Sequence, residues 1–352
     1  MKISIGTNIK KGPWGGGNLF AINLKAHLIK KGHQVVSNLY DKDIDIILIT
    51  EPRKTSESSA FTHVDVENYL KYVKNDSIVI HRINECDERK NTSYVNKYLI
   101  QANSIADATI FVSYWLADLF TSQGIDKKKN NVILAGADST IFNNINYKPW
   151  NVNQKLKIVT HHWGANWSKG FEIYKALDDL LNNESFKSKF SFTYIGNLPE
   201  KFTFKNTEVV PPLSGNELAE AIKQNHIYLT ASLNEPSGNH HIEGAQCGLP
   251  LLYINSGGIP EYCNGYGVRF DSNNFINKLY EIRKDYNFYL KKMESYPFSS
   301  ERMCLEYESF FNKMYARKEE ILNQRKYTSK TSIIGRFIYN SKRKIESYNT
   351  NS

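Results

Sequence analysis

The sequence predicts an α/β protein built from two halves, each with a parallel β-sheet. Short apolar runs of strand length alternate with longer segments of helical periodicity, the pattern of parallel strands joined by helices. This alternation stops in the polar segment 143–154 and then starts again. Three consecutive glycines between the first apolar run and the first helical pattern predict a strand–loop–helix unit at the start of the chain.

The first half begins with a predicted strand over 2–5 and a helix that opens at Asn18 and ends at Gly32. Further strands are predicted over 34–39, 44–50, 77–83, 108–112 and 132–134. The polar residues and proline of 143–154 indicate a linker. Beyond it we predict strands over 156–160, 192–195, 226–230 and 251–254, helices after Lys169, Asn216 and Pro236, and a long helical pattern over 299–323.

Composition limits the class of protein. A chain of 352 residues suits two domains, and 41% hydrophobic with 23% charged residues excludes wholesale disorder. No apolar run approaches the roughly 18 residues that span a bilayer, and no secretory signal is predicted at the N-terminus. The four cysteines are widely spaced, which argues against a zinc knuckle or a disulfide framework and indicates a cytoplasmic protein.

The positive charge is concentrated at the C-terminus. The chain carries +9, but the segment 324–352 holds seven basic residues and one acid, so +6 of the charge lies there. A basic segment indicates an anionic partner. The basic residues of this segment alternate with apolar ones, a pattern that fits an amphipathic helix on an anionic membrane; the apolar residues are Ile333, Ile334, Phe337 and Ile338. A solvated end is the alternative. Nucleic-acid binding is least favoured, because no recognition motif is present.

The glycine loop 12–18 is the first candidate site. Its glycines let backbone approach a ligand closely, and the helix that follows offers free N–H groups to phosphate. The spacing matches neither a dinucleotide-binding nor a P-loop motif, and an ordinary turn is the alternative.

The segment 234–250 is the second and stronger candidate. Glu235 directly follows a predicted strand, and Glu243 lies eight residues later in a predicted helix that Gly248 and Pro250 end. Two carboxylates at the carboxyl end of a parallel sheet can reach a ligand in the crevice there and accept hydrogen bonds from hydroxyl groups. A solvated acid and a helix-capping acid are the alternatives.

This segment resembles the E-x7-E motif of the retaining glycosyltransferases of family 4, which have the GT-B fold. Other features follow the family in order along residues 1 to 320: the glycines Gly15 to Gly17, Ala106-Asp107 with Ser113, Ala135 to Asp138, Lys169-Gly170, and the second glycine loop Gly257 to Glu261. The resemblance implies two Rossmann-like domains that face each other across a cleft. It divides the chain into an acceptor domain over 1–148, a donor domain over 149–300, a helix over 301–323 that returns to the first domain, and the basic tail 324–352.

The resemblance also implies roles for individual residues. Glu235 would contact the hydroxyls of the donor sugar, Glu243 the ribose of the nucleotide, and Lys169 the diphosphate. A nucleotide-diphosphate sugar is then the donor, and neither a metal nor another cofactor is implied. The remaining donor-binding residues implied in this way are Gly15, Gly16, Gly17, Ser237, Gly238, Asn239, Gly257 and Gly258.

The family has an arginine shortly before this lysine, and this sequence has none; Arg82, His162 and Asn166 are candidate substitutes. At the end of the fourth strand, His81 is predicted as a catalytic residue near the sugar, although Arg82 and Asn84 qualify equally. The pairs His161-His162 and His240-His241 are not predicted to bind metal, because no third ligand accompanies them at metal spacing.

The implied function is transfer of a sugar, with retention, from a nucleotide-diphosphate sugar to a hydroxyl of a growing glycan or lipid-linked acceptor. Polysaccharide or cell-envelope synthesis is the expected setting, with a cytoplasmic or peripheral membrane location. The alternatives are an epimerase or hydrolase that acts on nucleotide-sugars, and a silent scaffold that binds glycan or nucleotide.

Overall fold

The structure, a computed structural model, describes residues 1–10, 15–325, 337, 339–341 and 343. Within these residues lie two sheets of six strands, and all neighbouring strands run parallel. Helices connect the strands. The α/β architecture with two parallel sheets is therefore confirmed.

The first sheet lies in the N-terminal half, in the order β2-β1-β3-β4-β5-β6. Its strands are β1 (Lys2–Ile5), β2 (Gln34–Val36), β3 (Ile46–Ile49), β4 (Ile78–Ile83), β5 (Ala108–Phe111) and β6 (Asn130–Val132). The helices of this half are α1 (Gly16–Lys30), α2 (His63–Tyr72), α3 (Asp87–Lys90), α4 (Val95–Asn103) and α5 (Tyr114–Ser122).

The second sheet has the order β12-β11-β10-β7-β8-β9. Its strands are β7 (Leu156–His162), β8 (Phe190–Gly196), β9 (Glu208–Val210), β10 (Ile227–Thr230), β11 (Leu251–Ile254) and β12 (Gly267–Phe270). The helices are α6 (Phe171–Leu180), α7 (Glu184–Lys187), α8 (Gly215–Lys223), α9 (Asn239–Gln246), α10 (Ile259–Cys263), α11 (Phe275–Lys284) and α12 (Tyr286–Met293). The strand order reverses between β7 and β10, the topological switch point of a Rossmann-like sheet.

Both faces of the first sheet are buried, because alternate residues of each strand point to opposite sides. Ile47 and Val79 pack in one core with Tyr69 of α2. Their neighbours Ile46 and Ile80 pack in a second core on the other face. This burial on two sides explains why the central strands read as continuous apolar runs in the sequence.

The C-terminal helices return to the first half. They are α13 (Ser300–Ala316) and α14 (Lys318–Gln324), so the predicted long helix is interrupted at Arg317. Tyr307 of α13 packs on Phe20 of α1, with ring centroids 5.1 Å apart. Beyond α14, the guanidinium of Arg325 donates two hydrogen bonds to the buried carboxylate of Asp107, at 2.6 and 3.0 Å.

Most of the basic tail lies outside the described residues, including Ile333, Ile334 and Ile338 of the predicted amphipathic helix. In its described part, the ring of Tyr339 lies 5.5 Å from that of Tyr72 in α2. One of the seven basic residues, Arg325, is neutralised by Asp107 inside the protein. None of the described helices combines the length and apolar character needed to cross a bilayer.

The sequence prediction missed two strands, β9 and β12. Both are edge strands of three or four residues, and one apolar run of that length does not stand out from a loop. The strand predicted over 132–134 lies at 130–132, where two asparagines precede Val132. The helix predicted from Asn18 begins two residues earlier, at Gly16.

Candidate active site in the cleft

The site is built around two neighbouring strand ends of the second sheet. β7 ends at His162 and β10 at Thr230, on either side of the switch point. Ligands of such sheets bind in the crevice beyond these carboxyl ends. Lys169 follows β7 in a single 3-10 turn, and Glu235 follows β10, so the fold brings the two predicted side chains to the same crevice.

Glu235 is buried between two cations. The ammonium Nζ of Lys169 donates to its Oε2 at 2.6 Å, and Nε of Arg89, from the first half of the chain, lies 2.8 Å from its Oε1. Burial alone would raise the pKa of the Glu235 carboxyl, but the charges of Lys169 and Arg89 outweigh it and hold that pKa well below its usual value. The carboxylate is therefore ionised at every physiological pH.

A cavity of about 300 Å³ lies between the two halves at this ion cluster. Arg89, Lys90 and Thr92 contribute to its wall from the first half, and Asn166, Lys169 and Glu235 from the second. Burial lowers the pKa of Lys169, an effect that Glu235 partly opposes. The cavity wall thus carries more positive than negative side chains.

The second glycine loop packs directly on the segment that carries Glu235. The N–H of Gly258 donates to the carbonyl of Glu235 at 2.9 Å. A Cβ on Gly258 would lie 2.2 Å from the carbonyl oxygen of Pro236. Gly257 has φ +61°, a left-handed conformation that glycine adopts without strain, and a Cβ there would lie 2.5 Å from the Glu235 carbonyl oxygen. Side chains are thus excluded at both positions.

The described part of the first glycine loop, residues 15–18, meets the same region from across the cleft. The side-chain amide of Asn18 exchanges two hydrogen bonds with the backbone of Lys10, at 2.9 and 3.0 Å, and so holds the two ends of the loop together. A Cβ on Gly16 would lie 2.9 Å from the side chain of Asn239. Two predicted donor-binding residues, one from each half, are therefore in contact.

Two helix N-termini converge at this contact. α1 is preceded by Gly15 and α9 by Gly238, and neither glycine offers a side chain to cap its helix. Gly238 has φ +74°. The first N–H groups of a helix have no partner within it, and they attract anions together with the helix dipole. Helices α1 and α9 therefore both present backbone donors at the cleft.

Glu243 lies deeper than Glu235, on α9. Its Oε2 is 2.8 Å from Nε2 of His161 at the end of β7, and Nδ1 of His161 is 2.9 Å from the hydroxyl of Tyr228. The carboxylate is buried. This chain of contacts fixes the orientation of Glu243 beneath the cleft.

The other histidines of the two pairs are structural neighbours. His162 and His240 have ring centroids 4.5 Å apart and hydrogen-bond to Tyr174 and Thr230, each at 2.8 Å. Burial lowers the pKa of both rings well below 6.5, and that of His241 to about 3. These rings are therefore neutral and pack under the site. The described residues include no group of side chains placed to hold a metal ion.

At β4, the structure separates the three candidate polar residues. His81 is fully buried, 3.2 Å from the side-chain amide of Asn103, and burial lowers its pKa to about 3. The guanidinium of Arg82 lies on the ring of Phe20, 3.9 Å from its centroid, on the α1 side of the sheet. Asn84 is half-exposed at the strand end. Neither His81 nor Arg82 contributes to the cavity wall described above, and this position lends no support to His81 as a catalytic residue.

The sequence analysis missed Arg89. Of the three candidates for the absent arginine, only Asn166 lies in the cavity wall. Arg89 lies in α3, within the strongly charged segment Glu85 to Lys90 that follows the central strand β4. That placement was a usable signal, because segments that follow the carboxyl ends of parallel strands face the cleft.

A carboxylate also joins the two halves beside the cavity. Glu261 of α10 accepts hydrogen bonds from the backbone N–H groups of Tyr114 and Trp115, both at 2.7 Å. These donors are the first residues of α5 in the other half. Tyr262 donates to the carbonyl of Val112 in the same region. The second glycine loop is therefore anchored on the first domain.

No protein-family model matches the chain, and no curated protein matches it at the level of sequence. Solved structures match its fold. A glycosyltransferase from Rickettsia africae has 14% sequence identity and a TM-score of 0.61, with 92% of this chain and 98% of that chain covered.

Two further structures give similar values. HepE from Anabaena, in complex with UDP, has 12% identity and a TM-score of 0.65 over 89% of this chain and 99% of its own. WaaG, a glycosyltransferase involved in lipopolysaccharide biosynthesis, has 12% identity and a TM-score of 0.55 over 93% and 100%. The two sheets facing across a cleft are the GT-B fold of these glycosyltransferases.

Proposed function

We propose that this protein is a retaining glycosyltransferase that moves a sugar from a nucleotide-diphosphate sugar to a hydroxyl of a growing glycan. The observation that carries the proposal is the Lys169–Glu235 pair in a cationic cavity, next to two uncapped helix N-termini. HepE, of similar fold, has been solved with UDP and with UDP-glucose. A nucleotide-sugar donor is consistent with the charge of this cavity.

Each part of the site has a task in this proposal. Glu235 accepts hydrogen bonds from the hydroxyls of the donor sugar, since a carboxylate already bound by Lys169 retains free lone pairs. Glu243, oriented by His161, accepts from the ribose. The N–H groups of Gly16, Gly17 and Gly257, with those of Ser237, Gly238 and Asn239, close on sugar and phosphates, while the N–H of Gly258 holds the Glu235 segment in place.

The chemical step separates charge, and the site is suited to it. The bond from the anomeric carbon to the β-phosphate oxygen breaks, and its electron pair stays on that oxygen. The acceptor hydroxyl oxygen bonds to the anomeric carbon on the same face, and its proton passes to the released diphosphate. Lys169 and the backbone N–H groups stabilise the negative charge as it develops. No residue is assigned as a covalent nucleophile.

For the acceptor, we propose a polysaccharide or lipid-linked glycan, with the tail 324–352 in contact with an anionic membrane. The support is the charge of the tail, and WaaG, of similar fold, is involved in lipopolysaccharide biosynthesis. Deleting 326–352 keeps the Arg325 anchor. We expect the truncated protein to lose binding to anionic liposomes and to keep donor hydrolysis; unchanged liposome binding would contradict this part.

Donor turnover tests the proposal. Thermal shift over UDP-, GDP- and ADP-sugars identifies the donor, since a bound ligand raises the melting temperature. Release of the nucleoside diphosphate is then measured with and without glycan acceptors. We expect acceptor-dependent release that falls at least 100-fold in Lys169→Ala and stays unchanged in the control Lys175→Ala, which removes an exposed lysine of α6. Release without any acceptor dependence would favour a hydrolase or epimerase, and no binding would favour a scaffold.

A further inference from the structure

The ion cluster at the cavity is not neutral. Arg89 and Lys169 share one carboxylate, Glu235. The neighbouring cluster is balanced, since Lys90 and Arg53 pair with Glu85, and Arg53 also pairs with Glu51. Among the described residues, no further acid forms an ion pair with Arg89 or Lys169. The ion pairs at the cavity therefore hold one positive charge in excess, which an anion that enters the cavity would balance.

Arg89 has donors to offer a ligand beyond its pairing with Glu235. Its Nε lies 2.8 Å from Oε1 of Glu235, and the guanidinium carries five N–H groups in all. The side chain is partly exposed and contributes to the cavity wall. Both the excess positive charge and these donors suit an anion that enters the cavity.

The short helix α3, which carries Arg89, is held in place by hydrogen bonds at both of its ends. Oδ1 of Asp87 accepts hydrogen bonds from the hydroxyl of Thr92 at 2.5 Å and the N–H of Val95 at 2.9 Å, and Oδ2 accepts one from the N–H of Asn96 at 3.0 Å. Asn91 adopts a left-handed conformation, φ +54°, at the end of α3. Across the cleft, the side chain of Asn234 donates to the carbonyl of Glu88 at 3.3 Å. These contacts together hold Arg89 against the second domain.

We propose that Arg89, from the N-terminal domain, is the arginine of the diphosphate site and binds the β-phosphate of the donor together with Lys169. This inference rests on the proposed function. Both cations flank Glu235, which is assigned to the sugar, and the β-phosphate is the phosphate bonded to that sugar. A diphosphate held by one side chain from each domain binds tightly only when the cleft is closed. Donor binding and closure are thereby coupled.

The binding step also changes the state of Glu235. In the structure both of its oxygens face cations. When a diphosphate takes over part of this positive charge, Lys169 and Arg89 hold the Glu235 oxygens less tightly, and more of their lone pairs can accept from the sugar hydroxyls. The same contacts that neutralise the leaving group therefore release the carboxylate that orients the sugar.

Calorimetric titration of the full chain tests this inference. UDP, GDP and ADP are titrated into the wild type, and the tightest of them is used with the variants. We expect Arg89→Ala to weaken this diphosphate 10- to 100-fold and the matching monophosphate less than 3-fold. Arg89→Lys should recover part of the loss, and the control Arg317→Ala, an exposed arginine paired with Glu320, should bind like the wild type.

The outcomes separate the two proposals. If the wild type binds none of the three diphosphates, the proposed function fails and this inference fails with it. If the wild type binds and Arg89→Ala binds equally well, only the inference is overturned. Equal losses for diphosphate and monophosphate would also overturn it, because a structural role of Arg89 would weaken both. Thermal melting of Arg89→Ala and Arg89→Lys checks that each variant is folded.

Discussion

Replacing Glu235 by glutamine should raise the affinity for a nucleoside diphosphate while it abolishes sugar transfer. In the proposed site, the carboxylate competes with the phosphate for the same two cations. Glutamine keeps the shape of the side chain and removes its charge. Removing the charge of a binding-site residue would ordinarily weaken ligand binding. Tighter binding of the nucleoside diphosphate by Glu235→Gln is expected only if Lys169 and Arg89 hold that diphosphate.

The magnitude follows from the geometry. Glu235 lies 2.6 Å from Nζ of Lys169. A phosphate oxygen at a normal charged hydrogen-bond distance on the other side of Nζ would be about 5 Å from the carboxylate. At an effective dielectric constant of about 20, two like charges at that distance repel by about 3 kcal/mol. Water in the open side of the cavity screens part of this, so we expect about 1.5 kcal/mol, or about tenfold in Kd.

Isothermal titration of UDP, GDP or ADP, whichever binds the wild type, measures this effect. Sugar transfer by Glu235→Gln should fall at least 100-fold in parallel. The unliganded variant should be less stable by about 3 kcal/mol, because two buried cations lose their shared partner. Diphosphate binding that is weaker than in the wild type would refute the reasoning.

Three further predictions concern stability. Burial lowers the pKa of His81 and of His241 to about 3, so both rings stay neutral in the folded state, whereas histidine in the unfolded chain binds a proton below about pH 6.5. The free energy of unfolding should therefore decrease as the pH is lowered, by about 2 kcal/mol per residue between pH 7 and pH 5. Urea titrations at the two pH values measure this decrease, and equal stability at both would contradict it. Glu261→Ala removes two charged hydrogen bonds between the domains and should lower the free energy of unfolding by about 3 kcal/mol. The control Glu306→Ala, at an exposed ion pair, should lower it by less than about 0.5 kcal/mol. Arg325→Ala leaves Asp107 without its buried partner and should cost about 3 kcal/mol; a loss as small as that of the exposed Arg317→Ala would show that the C-terminal anchor contributes little.

Local patterns were enough to predict the two-sheet architecture. Strand β11 lies where the sequence places it, because its apolar run is bounded by Pro250 and the second glycine loop. The break of the last helix at Arg317 was not predicted, since its residues favour helix on both sides and tertiary contacts decide the end. Edge strands β9 and β12 carry too few apolar residues to be recognised alone.

For the site, the family resemblance named Lys169, and both the strand pattern and the resemblance named Glu235. Lys169 and Glu235 follow neighbouring strands of one sheet, so their meeting is a consequence of the strand order. The pairing of Glu235 with Arg89 joins different domains, and no local pattern reports which side chains meet across a cleft. For His81, the sequence pattern was also insufficient. Strand alternation places His81 on one face of β4 but does not reveal that helices α2 and α4 cover this face.

The anomeric configuration of the product tests the central claim most directly. The donor found by thermal shift is incubated with a glycan acceptor, and the new linkage is followed by proton NMR in the wild type, Lys169→Ala and Glu235→Gln. We predict a glycoside with the anomeric configuration of the donor, formed by the wild type and lost in both variants. An inverted product, or equal turnover in all three proteins, would contradict the account.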